Sequence, residues 1–145
     1  MRFTREGNAL MCRRQGETLR IEPWGRDALR VRATMHPAFS GQDWALTEAV
    51  QEVPALIEMG EESLRENDGG YGRYPVAAIT NGRVKITVNH GGVITVYRDG
   101  VKILREVFRN YGGSITRESH CLKIVNREWI PYVGGDYRLD RKSVV

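Results

Sequence analysis

The chain has 145 residues, of which 41% are hydrophobic and 28% charged. Those values fit one globular domain with one core, and they exclude collagen-like, coiled-coil and disordered chains. A net charge of +4, from 22 Lys+Arg against 18 Asp+Glu, is only mildly basic. The basic residues alternate along the chain instead of gathering on one face, so no nucleic-acid partner is expected.

No stretch approaches the roughly 18–20 apolar residues of a membrane span, and no membrane partner is expected. Met1 to Glu6 carries charges with no apolar region behind them, unlike a signal peptide. Cys12 and Cys121 are the two cysteines. With no sign of export they are expected to be reduced thiols in a cytoplasmic protein.

The strand signals come first at Thr18 to Glu22, where Leu19 and Ile21 alternate with polar neighbours. Ala28 to Thr34 follows, with Arg30 and Arg32 set between Leu29, Val31 and Ala33. That spacing puts both arginines on one solvated face. Trp44 to Val50 reads as a short helix or as a loop continuing into a strand. Glu61 to Asn67 has helix formers but little apolar face, and Asp68 to Gly72 reads as a flexible surface loop, an insertion. Asn81-Gly82 is a turn signal. Arg83 to Asn89 is the clearest strand, with Val84, Ile86 and Val88 on one side and Lys85 and Thr87 on the other. Gly91-Gly92 turns the chain into a strand over Val93 to Arg98. Asp99-Gly100 is a hairpin signal, since glycine accepts positive φ, and Val101 to Phe108 follows. Asn81 to Phe108 is therefore expected to be a three-stranded antiparallel meander. His120 to Asn126 is a further strand. Trp129 to Val133 is extended, with Pro131 limiting it to an edge or bulge. Gly134-Gly135 breaks it and Tyr137 to Leu139 starts another. Short strands separated by turns, with no long helix, predict an all-β antiparallel sandwich.

The residues show little catalytic patterning. Gly70-Tyr71-Gly72 has Pro75 in place of a third glycine and no helix after it, so it is no phosphate loop. His120 and Cys121 are neighbours in a strand and point to opposite faces, while His36 and His90 lie far apart, so no metal is expected. Glu58, Glu61 and Glu62 cluster, but in a polar segment that nothing buries, and they read as a solvated acidic loop. The aromatic side chains Trp24, Trp44, Trp129, Tyr71, Tyr74, Tyr111, Tyr132 and Tyr137 are candidates for stacking on sugar rings. Among them Trp44, beside Asp43, stands in a polar segment, and Asp43 and Trp44 are the candidate substrate-binding residues. No cofactor is expected.

Several stretches resemble the opening of glycoside hydrolase family 31. They are Phe3-Thr4-Arg5 with Ala9-Leu10, then Leu19-Arg20-Ile21-Glu22-Pro23-Trp24-Gly25, then Leu29-Arg30-Val31-Arg32-Ala33-Thr34. Asp43-Trp44-Ala45-Leu46 and Ile79-Thr80-Asn81-Gly82-Arg83-Val84 follow in the family's order. Cys121-Leu122-Lys123-Ile124 and Gly134-Gly135-Asp136-Tyr137-Arg138-Leu139 complete the set, which covers most of Met1 to Leu139. The resemblance implies a galactose-mutarotase-like N-terminal β-sandwich ahead of a catalytic (β/α)8 barrel. It implies a retaining α-glycosidase, an α-glucosidase or α-xylosidase acting on α-linked oligosaccharides. The family's two catalytic aspartates lie in the barrel, so no catalytic residue carries over to this chain. The expected partner is the barrel of the same parent chain, with a homo-oligomer interface as a further role. A loop of this domain reaches the substrate entrance in the family. The competing reading is a stand-alone carbohydrate-binding sandwich.

After Leu139 the pattern departs from the family. Asp140 to Val145 has no strand alternation, and it back-translates to an in-frame sequencing adapter. Residues 1–139 are therefore expected to be an incomplete sandwich domain and residues 140–145 a non-native tail. An open sheet edge at that point predicts aggregation of the isolated chain.

Overall fold

A computed structural model describes residues 1–41, 52–107, 128–131 and 139–140. Every regular element among these is a β-strand. The first sheet holds β1 (Arg2–Glu6), β2 (Ala9–Arg14), β3 (Glu17–Pro23) and β4 (Leu29–Thr34). The second holds β5 (Leu56–Arg65), β6 (Tyr71–Asn81), β7 (Val84–Val88), β8 (Ile94–Arg98), β9 (Val101–Val107), β10 (Glu128–Pro131) and β11 (Leu139–Asp140). Each sheet is an antiparallel meander in chain order. The two stack through one apolar core, giving the all-β sandwich expected from the sequence.

Period-two alternation builds that core. Leu10, Cys12, Leu19 and Ile21 point inward from the first sheet, and Ala77, Ile79, Ile86, Val88 and Ile94 meet them from the second. Leu10, Ile21, Ile79, Val88 and Ile94 are fully buried. Each such side chain contributes about 1.5–3 kcal/mol by leaving water. Cys12 is a core residue, and Cys121 lies outside the described residues. Glu106 is a buried carboxylate whose Oε2 accepts the Ile94 backbone N–H at 2.9 Å. A hydrogen-bonded acceptor of that kind offsets part of the cost of burying charge.

The outer face of the first sheet is an arginine–glutamate ladder. Arg20 and Arg32 both donate to Glu22, at 2.8 and 2.7 Å, and Arg13 reaches Glu6 at 3.0 Å. Arg30 and Arg32 share this face, as their spacing predicts, but they are half-buried. The Arg30 guanidinium lies 4.4 Å from the Trp24 ring centre and that of Arg32 lies 5.0 Å from Phe39. Carboxylates and rings thus partner these cations, although Arg32 Nε is buried without a hydrogen-bond partner.

The expected meander is β7, β8 and β9, with a bulge between Val96 and Tyr97. Phe108 and His120 to Asn126 lie outside the described residues, as do residues 42–51 with Asp43 and Trp44. β10 sits between β9 and β11, not at an edge. Among the described residues β11 pairs with Glu128 and Trp129. Two expectations are corrected. Glu61 to Asn67 is not helix-like, because β5 runs through it to Arg65. Asp68 to Gly72 is not an inserted loop, because Asp68 to Gly70 turn the chain between β5 and β6 while Tyr71 and Gly72 already belong to β6. Gly60 and the glutamates hide the strand from a propensity reading, and the partner strand overrides it.

Arg83 ties two turns together. Its backbone N–H donates to Asp27 Oδ1 at 2.8 Å, and its guanidinium takes both carboxylate oxygens of Asp99. The hydrogen bond from Arg83 holds the Asp99 carboxyl below its ordinary value. A carboxyl depressed in the folded state stabilises above its unfolded pKa, and the contribution is lost as pH falls through the folded one. Asp99→Asn is therefore expected to flatten the loss of urea resistance between about pH 5 and pH 2. Urea midpoints at stepped pH check this, and an unchanged acid limb counts against it.

Candidate functional site

β5 and β6 pair over their whole length, from Leu56↔Thr80 to Arg65↔Tyr71. β7 joins only Ala77 to Asn81 of β6. The six pairs from Gly60↔Val76 to Arg65↔Tyr71 therefore stand beyond the rest of the sheet as a two-stranded ribbon. At about 3.3 Å per residue its reach is about 20 Å. Pro75 falls in this ribbon, where one flank needs no ladder bonds.

The ribbon is braced at its base and tip. At the base the Tyr74 ring stacks on His90, with centroids 4.5 Å apart, and His90 Nδ1 lies 3.6 Å from Glu62 Oε1. At the tip the Tyr74 hydroxyl donates to Glu66 Oε1 at 2.6 Å, and that carboxylate raises the Tyr74 pKa. The turn closes through Glu66 N–H on the Gly70 carbonyl at 2.8 Å and through Gly70 N–H on Asp68 Oδ1 at 2.8 Å. Gly69 has φ 88° there. Gly72 keeps open the space in which Tyr74 and Glu66 meet, since a Cβ would overlap both. Gly72→Ala is thus expected to break the Tyr74–Glu66 bond while leaving the sandwich folded. Faster protease cutting between Glu66 and Gly70, with an unchanged circular dichroism spectrum, is the result to look for. Unchanged cutting would contradict the bracing role.

Apolar surface is exposed along the same hairpin. Tyr71 is 72% exposed, Met59 48% and Leu56 60%. Glu58 and Glu61 are also exposed, paired with Lys85 at 3.5 Å and Arg73 at 3.6 Å. The acidic group is solvated, as the sequence predicts, but on a strand instead of a loop. Alternation puts Glu58 and Glu62 on one face and Glu61 on the other, so the three do not converge.

About 30 Å away along β6, the far end of the strand forms a clasp. Asn81 is 5% exposed, and its side-chain amide donates to the carbonyls of Gly25 and Ala28, both at 2.7 Å. These carbonyls belong to the turn between β3 and β4, which also holds Asp27 at φ 52°. Gly82, at φ 57°, passes against the Asp27 carboxylate with no room for a Cβ. The opposite end of the sandwich is pinned by Arg14, whose guanidinium donates to the Gly91 carbonyl.

Of the aromatic candidates, Trp24 has one face covered by Arg30 and Tyr74 stacks on His90. Tyr71 remains open to solvent. Trp44, Tyr111, Tyr132 and Tyr137 lie outside the described residues, as does Asp43. Among the described residues no three His, Cys, Asp or Glu side chains are grouped as metal ligands. Sequence reasoning missed the clasp, although Gly25 and Asn81 lie in stretches that carry the family resemblance. Only its Asn-Gly turn was legible, since the partner carbonyls lie 53 and 56 residues earlier.

No family model matches the sequence. An uncharacterized family 31 glucosidase of Pseudescherichia vulneris is 30% identical over 141 residues, which is 91% of this chain and 24% of that protein. The crystal structure of a GH31 α-xylosidase from a soil metagenome, complexed with xylose, superposes with a TM-score of 0.61 at 32% identity. That match covers 76% of this chain and 14% of the xylosidase chain. The chain thus spans about a quarter of the curated relative's length. In its ordered motifs and its sandwich, the chain matches a small part of glycoside hydrolase family 31 enzymes over most of its own length.

Proposed function

We propose that this sandwich is the non-catalytic N-terminal domain of a retaining α-glycosidase. It supports the catalytic barrel of the parent chain and helps shape the entrance to the active site. The observation that carries this reading is the β5–β6 ribbon, which extends past the end of β7 with Tyr71 exposed. A two-stranded ribbon is marginal in water by itself and gains stability by packing on another surface. The relatives are a glucosidase and an α-xylosidase. The substrates of the parent enzyme are accordingly α-glucosides or α-xylosides.

Two measurements test the reading. This chain alone is expected to leave nitrophenyl α-glucoside and nitrophenyl α-xyloside unhydrolysed, and turnover that survives contaminant controls would refute the non-catalytic role. In the full parent enzyme, recovered by sequencing outward past the Leu139 codon, residues 61–75 would be replaced by a short turn. The shortened enzyme is expected to fold and to show a raised KM for oligosaccharides with a smaller change in kcat. Unaltered kinetics would remove the ribbon from the entrance.

A further inference from the structure

Asn81 is the only asparagine of the chain followed by glycine. In such a pair the glycine backbone nitrogen, once deprotonated, attacks the asparagine side-chain carbonyl carbon. The bond to the side-chain nitrogen breaks, ammonia leaves, and a cyclic imide forms. Water then opens the imide to aspartate or to isoaspartate, in which the backbone runs through the side-chain carbon. No reactant other than water and base is needed.

We propose that Asn81-Gly82 is a deamidation site that the closed clasp holds unreactive, and whose reaction makes loss of the fold irreversible. The side chain that must swing onto Gly82 N is fixed at 5% exposure, with both amide hydrogens committed to the carbonyls of Gly25 and Ala28. The attacking residue is confined as well, since Gly82 lies against the Asp27 carboxylate and Arg83 N–H is bonded to Asp27 Oδ1 at 2.8 Å. Attack therefore requires the turn from Gly25 to Ala28 to lift away. Once the amide has become a carboxylate, the turn cannot close as before. A carboxylate offers no hydrogen to either carbonyl, and burying it against two carbonyl oxygens and beside Asp27 is unfavourable. Isoaspartate adds a backbone carbon at a two-residue turn whose register, Asn81↔Val84, has no slack.

The test compares the full 145-residue chain, folded and in urea, at mildly alkaline pH. Peptide mass spectrometry follows the Asn81 peptide over time. Conversion is expected to be more than about tenfold slower in the folded chain, because it waits on local opening. Equal rates in the two states would overturn the proposal. This comparison does not depend on any variant folding. As a second readout, Asn81→Asp is expected to lower the urea midpoint and to speed amide exchange across residues 24–28. A variant with the original midpoint and the original exchange would also overturn it.

Discussion

Gly82→Ala is expected to destabilise the chain by about 3 kcal/mol. A side chain in the left-handed region costs about 1 kcal/mol at φ 57°. The larger part is steric, because the new Cβ would overlap Asp27 Oδ1. Asp27 must then move, and the bond from Arg83 N–H is lost with it. Leaving a backbone donor without its partner costs about 1–3 kcal/mol. A double-mutant cycle separates the two causes. With Asp27→Gly already present, Gly82→Ala should cost only the backbone part, about 1 kcal/mol. Urea unfolding of the four chains measures it. Equal costs in both backgrounds would mean that the clash with Asp27 is not the source.

Ile79→Ala is expected to cost about 4 kcal/mol, near the upper part of the range for deleting a buried aliphatic side chain. Ile79 is fully buried in the last third of β6, within the core to which both sheets contribute. Domains are stable by only about 5–15 kcal/mol, so this one change removes a large fraction. Leu56 is the contrast on the adjacent strand. It is 60% exposed, and Leu56→Ala should change stability by less than about 0.5 kcal/mol. If the two substitutions cost the same, the burial assigned to β6 is wrong.

β3 and β7 are readable because they bury alternate residues, Leu19 and Ile21 in one and Ile86 and Val88 in the other, and Asn81-Gly82 and Asp99-Gly100 mark turns next to such strands. β2 defeats that reading because Ala9, Leu10, Met11 and Cys12 are all buried. Met11 points away from the core yet is covered, with an Arg20 guanidinium nitrogen 3.8 Å from its sulfur. A long cationic stem shields apolar surface in a way that a hydrophobicity pattern does not register. β5 fails for the opposite reason. Only Ile57, Glu62 and Leu64 of it are half-buried and the rest is exposed, so Glu58, Glu61 and Glu62 look like a polar loop. The ribbon was therefore invisible as a strand pair, and its tip at Asp68 to Gly70 read as part of a longer inserted loop. The clasp joins Asn81 to carbonyls 53 and 56 residues earlier. No local pattern encodes a partner that distant. The order of the resembling stretches pointed to the family without showing that two of them touch.

Both sheets are meanders in chain order, so among the described residues every ladder joins consecutive strands. Loop closure is short within the first sheet and from β5 to β9, while β9 ends at Val107 and β10 begins at Glu128, and further distant contacts arise when one sheet lies down on the other. The clasp at Asn81 and the Arg14–Gly91 bond can close only at that docking step. Residues that join after the rate-limiting barrier govern how fast a protein comes apart more than how fast it assembles. Asn81, Gly82 and Arg14 are thus set to act as brakes on unfolding, so part of the lifetime of the sandwich rests on two turns.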